Sequence, residues 1–261
     1  VIPQIAGTSN IATEEFAGSS RVLVLGPSLG TNATIWNRPG KFFREEIDQL
    51  AWDLPGHGKS LAATEGFSID ELADGVLRLV DALEVDQFAY AGTSIGGAVG
   101  LSLALRYPDR VKAAAIVCSA PKFGTPQAWL DRAEQVRKQG TGSLIAATPG
   151  RWFTEKFIAK EPEVVGEMLN MLLAADDASY AYACEALAGY DLTERLGEIE
   201  PPVLVISGEQ DPVATPAQAQ AMADAITNNT YIEVFGVSHQ AGTEAPEVVA
   251  KHINHFVRMY R

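Results

Sequence analysis

The chain has 261 residues, 47% hydrophobic and 20% charged, which is ample apolar material for the core of one α/β domain. Its 33 acidic and 20 basic side chains leave a formal charge of −13, which excludes a general affinity for nucleic acid or for anionic membrane surfaces. An anionic small molecule can bind only at a local cationic site working against that field.

Two cysteines, Cys118 and Cys184, are too few for a disulfide framework and fit no metal spacing, so both read as buried free thiols. Val1-Ile-Pro-Gln-Ile-Ala-Gly7 has no basic segment followed by an apolar one, and no apolar run approaches the ~20 residues of a membrane span. A cytoplasmic protein is expected, and the oligomeric state is left open.

In chain order, residues 1–20 are weakly patterned, with an edge strand expected over Ile11-Ala-Thr-Glu-Glu-Phe16 and a turn at Gly18-Ser-Ser20. Arg21–Leu25 reads as a buried strand running into the breaker-rich loop Gly26-Pro-Ser-Leu-Gly-Thr31. Residues 37–46 are polar and irregular or helical. Gln49–Asp53 is the next strand and ends in Leu54-Pro-Gly-His-Gly-Lys-Ser60. Ser68 with Glu71 three residues on makes a capping box, and Leu72, Val76, Leu79, Val80 and Leu83 follow at helical spacing. Phe88–Ala91 is a strand, Ile95–Arg106 a helix rich in small residues that packs against a sheet, and Val111–Cys118 another strand.

This alternation predicts a parallel sheet covered on both faces. The rhythm then breaks. Residues 122–195 show no strand pattern but helical pieces at Thr125–Lys138, Gly142–Thr148, Pro162–Ala175 and Ser179–Leu187, with many of the aromatic residues. The sheet resumes at Pro201–Gly208 and Thr230–Phe235, with helices from Thr215-Pro216 to Ile226 and over Glu244–Met259. One domain is therefore expected, with a core of residues 1–121 and 196–261 and a helical cap over 122–195.

Between the strand at Phe88 and the helix at Ile95 lies Gly92-Thr-Ser94-Ile-Gly96, a G-x-S-x-G pattern in the strand–turn–helix context of a nucleophile elbow. A serine hydroxyl needs a base to take its proton and a third group to orient that base. Of four histidines, His239 in Gly236-Val-Ser-His239-Gln stands just past the last strand, where a sheet presents functional loops. His57, between two glycines, reads as a structural turn residue; His252 and His255 lie on the closing helix without partners for a metal. Asp211 in Ser207-Gly-Glu-Gln-Asp211-Pro is the candidate acid, with Glu209 and Asp53 as rivals. The order Ser94, Asp211, His239 is that of α/β-hydrolases. For the oxyanion, one donor is expected from Ile95 N–H at the helix start and one from Leu29 N–H in the Gly26–Gly30 loop.

With these residues in view, the chain resembles the 3-oxoadipate enol-lactonases of the α/β-hydrolase superfamily from about Val22 onward. Ser28-Leu-Gly-Thr31 with Trp36, Trp52-Asp-Leu-Pro-Gly-His-Gly58, the elbow, and Leu204-Val-Ile-Ser-Gly208 with Asp211 carry it in the core. Trp129, Arg132, Arg151-Trp152-Phe-Thr154 and Cys184-Glu-Ala186 carry it in the cap. Thr93 and Ile95 stand where the larger Leu and Met are expected, and residues 37–50 are shorter than the usual helix-plus-loop. The resemblance implies hydrolysis of a small carboxylated enol-lactone in aromatic catabolism, with no metal and no organic cofactor. It places Trp129, Arg132, Arg151 and Trp152 at the substrate, and one cap arginine, Arg132 or Arg151, on its carboxylate. The same triad also serves carboxylesterases, perhydrolases and carbon–carbon bond hydrolases, and a hydrolase-fold ligand receptor is the reading from outside enzymology.

Overall fold

The run Val22–Gly26 (β2) is buried along its whole length, as a strand covered on both faces must be. In the computed structural model, which describes residues 1–10, 15–19 and 21–260, it lies inside a seven-stranded sheet. The other strands are β1 (Gly7–Ser9), β3 (Asp48–Trp52), β4 (Phe88–Thr93), β5 (Val111–Val117), β6 (Val203–Gly208) and β7 (Asn229–Val234). Their spatial order is β1-β3-β2-β4-β5-β6-β7; β1 runs antiparallel to β3, and every other pairing is parallel.

The edge differs from expectation. The edge strand is Gly7–Ser9, and within the expected Ile11–Phe16 strand residues 11–14 lie outside the described residues while Glu15 and Phe16 are not extended in the sheet. β1 is three residues long and mostly exposed, so it carries too little apolar alternation to be recognised.

Helices fill the connections. Residues 33–40 form only short turns, ending in α1 (Asn37–Gly40). The capping box is present at α2 (Ile69–Ala82): Ser68 Oγ accepts Glu71 N–H at 3.1 Å, and Ser68 N–H donates to Glu71 Oε2 at 2.9 Å. α3 (Ile95–Arg106) is buried over its first ten residues against β2, β4 and β5, which is why its sequence tolerates only small or apolar side chains. Between β5 and β6 the regular elements are all helical: α4 (Pro126–Gln139), a 3₁₀ turn at Thr141–Leu144, α5 (Pro149–Trp152), α6 (Glu155–Lys160), α7 (Pro162–Ala174), α8 (Asp177–Ala188) and a second 3₁₀ segment at Thr193–Glu198. The helix expected over 142–148 is thus a 3₁₀ turn followed by α5. α9 (Pro216–Ala225) joins β6 to β7. The closing helix is interrupted at Ala245-Pro246, giving α10 (Ala241–Glu244) and α11 (Pro246–Arg258), because proline cannot donate its own N–H to the preceding turn.

After β2 the chain moves outward to β3, then returns across β2 to β4. Connections from β2 and β4 therefore leave in opposite directions, which opens a crevice at the carboxyl ends of these two strands. Gly26 and Gly92 are register partners there, so the loop after β2 faces the turn after β4.

Candidate active site

Ser94 occupies that turn with φ 57° and ψ −119°, a conformation that costs a non-glycine residue about 1–3 kcal/mol. Two glycines make it possible. A Cβ on Gly92 would lie 2.2 Å from Gly96 O, and one on Gly96 2.5 Å from Pro27 O. The strained residue is pinned by its own backbone: Ser94 N–H donates to Val117 O at 2.9 Å, and Ser94 O accepts Ser119 Oγ–H at 2.7 Å and Ala98 N–H at 3.0 Å.

The structure brings Ser94, His239 and Asp211 together. His239 Nε2 is 2.9 Å from Ser94 Oγ, and His239 Nδ1 is 2.8 Å from Asp211 Oδ2. An ionised carboxylate only accepts, so Nδ1 carries the proton and the Nε2 lone pair faces the serine hydroxyl. Asp211 Oδ1 accepts Val213 N–H at 2.7 Å and Ala214 N–H at 3.0 Å, which fixes the carboxylate plane in the turn after β6. All three side chains are buried. This arrangement can move a proton from Ser94 to His239 and later return it to a leaving group or take one from water.

The rivals are engaged elsewhere. Asp53 accepts Ala33 N–H at 2.6 Å and Lys59 N–H at 2.8 Å, and Glu209 accepts Gly236 N–H at 2.8 Å. His57 is buried in its turn against Pro55 O. Cys118 lies behind the acid, with Sγ 3.7 Å from Ser238 O; burial and then the Asp211 charge push its thiol up, so it stays protonated.

Leu29 and Ile95 flank the crevice, on the β2 loop and at the first residue of α3. Among the described residues neither backbone N–H has an acceptor, whereas Gly96 N–H is spent on Pro27 O at 3.0 Å. Two unspent donors beside a serine hydroxyl are what a developing oxyanion needs.

Of the four residues expected at the substrate, three line one cleft of about 460 Å³, bounded by α4, the 141–148 segment, α5 and Pro212-Val213 of the acid loop. Trp129 is held by Nε1–H donation to Phe123 O at 2.7 Å. The Arg132 guanidinium lies 5.7 Å from the ring centres of both Trp129 and Tyr180, and its buried Nε has no hydrogen-bond partner. Arg151, which is exposed, also lines the cleft; partial desolvation and then the neighbouring Arg132 charge lower its pKa. Among the described residues neither arginine pairs with a carboxylate, and Asp131 in the same cleft accepts from Gln127 Nε2 at 2.7 Å. Trp152 is placed differently: it is buried behind the Leu29 loop, where a Cβ on Gly30 would meet its ring at 3.6 Å.

Sequence reasoning did not single out Gln240 or Glu244. Gln240 N–H donates to Trp152 O at 2.9 Å and its Nε2 to Ser28 Oγ at 3.1 Å, joining the His239 loop to α5 and to the β2 loop. Glu244 accepts Thr154 N–H at 3.1 Å, Thr154 Oγ1–H at 2.7 Å and Ser238 N–H at 2.7 Å. Burial raises its carboxyl pKa. The only signal for either residue was proximity to His239.

No helix of the described residues is long and apolar enough to cross a membrane. The family model described as "Alpha/beta hydrolase family" matches residues 22–252. 3-oxoadipate enol-lactonase 2 of Acinetobacter baylyi is 37% identical over 225 residues, covering 86% of this chain and 84% of its own. 3-oxoadipate enol-lactonase 1 of the same organism is 32% identical over 236 residues, covering 90% and 88%. Among solved structures, the enol-lactonase from Burkholderia xenovorans LB400 superposes with a TM-score of 0.92 at 32% identity, over 97% of this chain and 96% of that one. The chain is thus an ester-cleaving hydrolase that belongs to the alpha/beta hydrolase family, on the branch that carries the 3-oxoadipate enol-lactonases.

Proposed function

We propose that this protein hydrolyses a small carboxylated enol-lactone, 3-oxoadipate enol-lactone to 3-oxoadipate, in the β-ketoadipate route of aromatic catabolism in the cytoplasm. Residues 122–195 serve as a cap over a core of 1–121 and 196–261. Ser94 Oγ attacks the ring carbonyl as His239 Nε2 takes its proton, and Asp211 holds the imidazole and stabilises its charge. The N–H groups of Leu29 and Ile95 hold the oxyanion. Ring opening expels an enolate, a stable leaving group; it takes the proton held by His239 Nε2, becomes the ketone, and leaves the imidazole neutral again. Water, deprotonated by His239, then cleaves the acyl-enzyme.

The observation that carries the substrate assignment is the pair of guanidinium groups, Arg132 and Arg151, in one cleft beside the acid loop, neither in an ion pair among the described residues. In a chain of net charge −13 such a site suits an anionic arm on the substrate. The relatives named enol-lactonases point the same way.

Comparing kcat/KM on the enol-lactone with a panel of small esters, with Ser94→Ala as the blank, tests the reading. Far faster turnover of p-nitrophenyl acetate would overturn it in favour of an esterase, and residual activity in the Ser94→Ala protein would overturn the triad.

A further inference from the structure

The loop that offers Leu29 N–H is set peptide by peptide. A trans peptide points its C=O and N–H in opposite directions. Ser28 C=O accepts Thr31 N–H at 3.0 Å and Thr31 Oγ1–H at 2.8 Å, so the N–H of Leu29, in the same peptide unit, turns away from Thr31. The next unit, Leu29–Gly30, is held from outside the loop: Gly30 N–H donates to His57 Nε2 at 3.3 Å. His57 Nδ1 lies 2.8 Å from Pro55 O, a pure acceptor, so Nδ1 carries the ring proton and Nε2 presents a lone pair. The ring is 2% exposed and stacks on Tyr180 of α8, with 6.1 Å between centroids and 25° between planes.

We propose that His57 is a positioning residue for the oxyanion hole: in its neutral Nδ1–H tautomer it accepts Gly30 N–H, fixes the Leu29–Gly30 peptide, and thereby keeps Leu29 N–H aimed at the reacting carbonyl oxygen. This rests on the reaction proposed above. A proton on Nε2 would set two donors face to face and release the loop. The charged groups that act on the ring are Asp53, from its own strand end, and Asp176, at the start of α8; Tyr180 is the titratable group stacked on it. Burial outweighs both carboxylates and lowers the His57 pKa, which favours the neutral form the geometry requires.

The test replaces His57 by Phe, which keeps a planar ring against Tyr180 but removes the acceptor, and by Gln, which restores one. On a small ester whose hydrolysis needs Ser94, His57→Phe should lower kcat roughly tenfold to hundredfold with KM changed less than about threefold, since a misaimed donor costs somewhat less than a missing one. The Ki of an alkylboronic acid, whose tetrahedral Ser94 adduct puts an oxygen in the hole, should rise by a similar factor. Binding of adipate, which makes no such adduct, should barely change, and His57→Gln should recover part of the loss. Unchanged kcat, or equal weakening of boronate and adipate, would overturn the proposal.

A measurement on the unmutated protein stands independently of how the variants fold. Nitrogen-15 NMR at neutral pH should show a coupling across the hydrogen bond between Gly30 N and His57 Nε2; a proton on His57 Nε2 would refute the assignment. Should Ser94→Ala hydrolyse the ester as fast as the parent protein, it is the reaction reading that fails, and the coupling still reports on His57 alone.

Discussion

The crevice at the ends of β2 and β4 and the cleft under α4 are built on opposite principles. Around Ser94, His239 and Asp211 the side chains are tied to one another by hydrogen bonds, while the N–H groups of Leu29 and Ile95 have no acceptor among the described residues. In the cleft, two arginines share one space, and one of them has a buried Nε with no partner. A bonded network holds geometry, whereas a half-buried guanidinium outside any ion pair leaves interaction energy to be realised on binding. On the proposed reading, the first region fixes what reaction occurs and the second selects what reacts.

The largest effect should come from breaking the first region at its centre. Ser94→Ala should lower kcat on the order of 10⁵-fold or more, with stability nearly unchanged because alanine keeps the strained φ. Ser94→Gly should be equally inactive yet more stable by about 1–2 kcal/mol, once relief of the strain is set against glycine's chain entropy. Thermal unfolding of the two variants side by side checks this; equal melting temperatures would mean that the elbow stores no strain.

Arg132→Ala probes the second region. The kcat/KM on a carboxylated enol-lactone should fall roughly tenfold to hundredfold, the worth of one charged hydrogen bond, while a neutral ester should change little. An equal loss on both substrates would erase the distinction between the two regions.

Glu244→Gln tests the join between them. The amide would turn a donor toward Thr154 or Ser238, both of which already donate, and should cost about 1–3 kcal/mol with a fall in Tm of several degrees. Activity should fall less than in the Arg132 variant. An unchanged Tm would mean that the clamp bears no weight.

The smallest effect concerns pH. The folded-state pKa of His57 lies below the ordinary value, so near and below about pH 6.5 the unfolded chain binds the extra proton and stability falls as pH drops. Stability should therefore rise with pH from about 5 to 7 in urea titrations, by less in His57→Phe than in the parent protein. Identical slopes would contradict a buried neutral His57.

That Ser94, Asp211 and His239 belong together could be read before any coordinates because each sits in a short local pattern at a strand end: Gly92–Gly96, Gly208–Pro212 and Gly236–Gln240. The parallel sheet was readable from its uninterrupted apolar runs. What could not be read depends on distance along the chain. Gln240 meets Ser28 across 212 positions, and no local pattern announces that contact. Trp152 and Arg151 are neighbours in sequence, yet one lies behind the β2 loop and the other lines the cleft, a division set by which side of a four-residue helix each occupies. The three-residue β1 was missed because pairing with β3, not its own composition, makes it a strand.

The helical segment between β5 and β6 is moored to the sheet domain by main-chain groups. Asp176 N–H donates to Gly56 O, Leu192 N–H to Pro121 O, and Gln240 N–H to Trp152 O, each at 2.9 Å. Main-chain bonds are largely indifferent to the side chains around them. The cleft-facing positions of α4 are consequently free to vary without loosening those moorings or displacing the serine, so the scaffold can be retuned toward another small ester by exchanging a handful of residues on one helix.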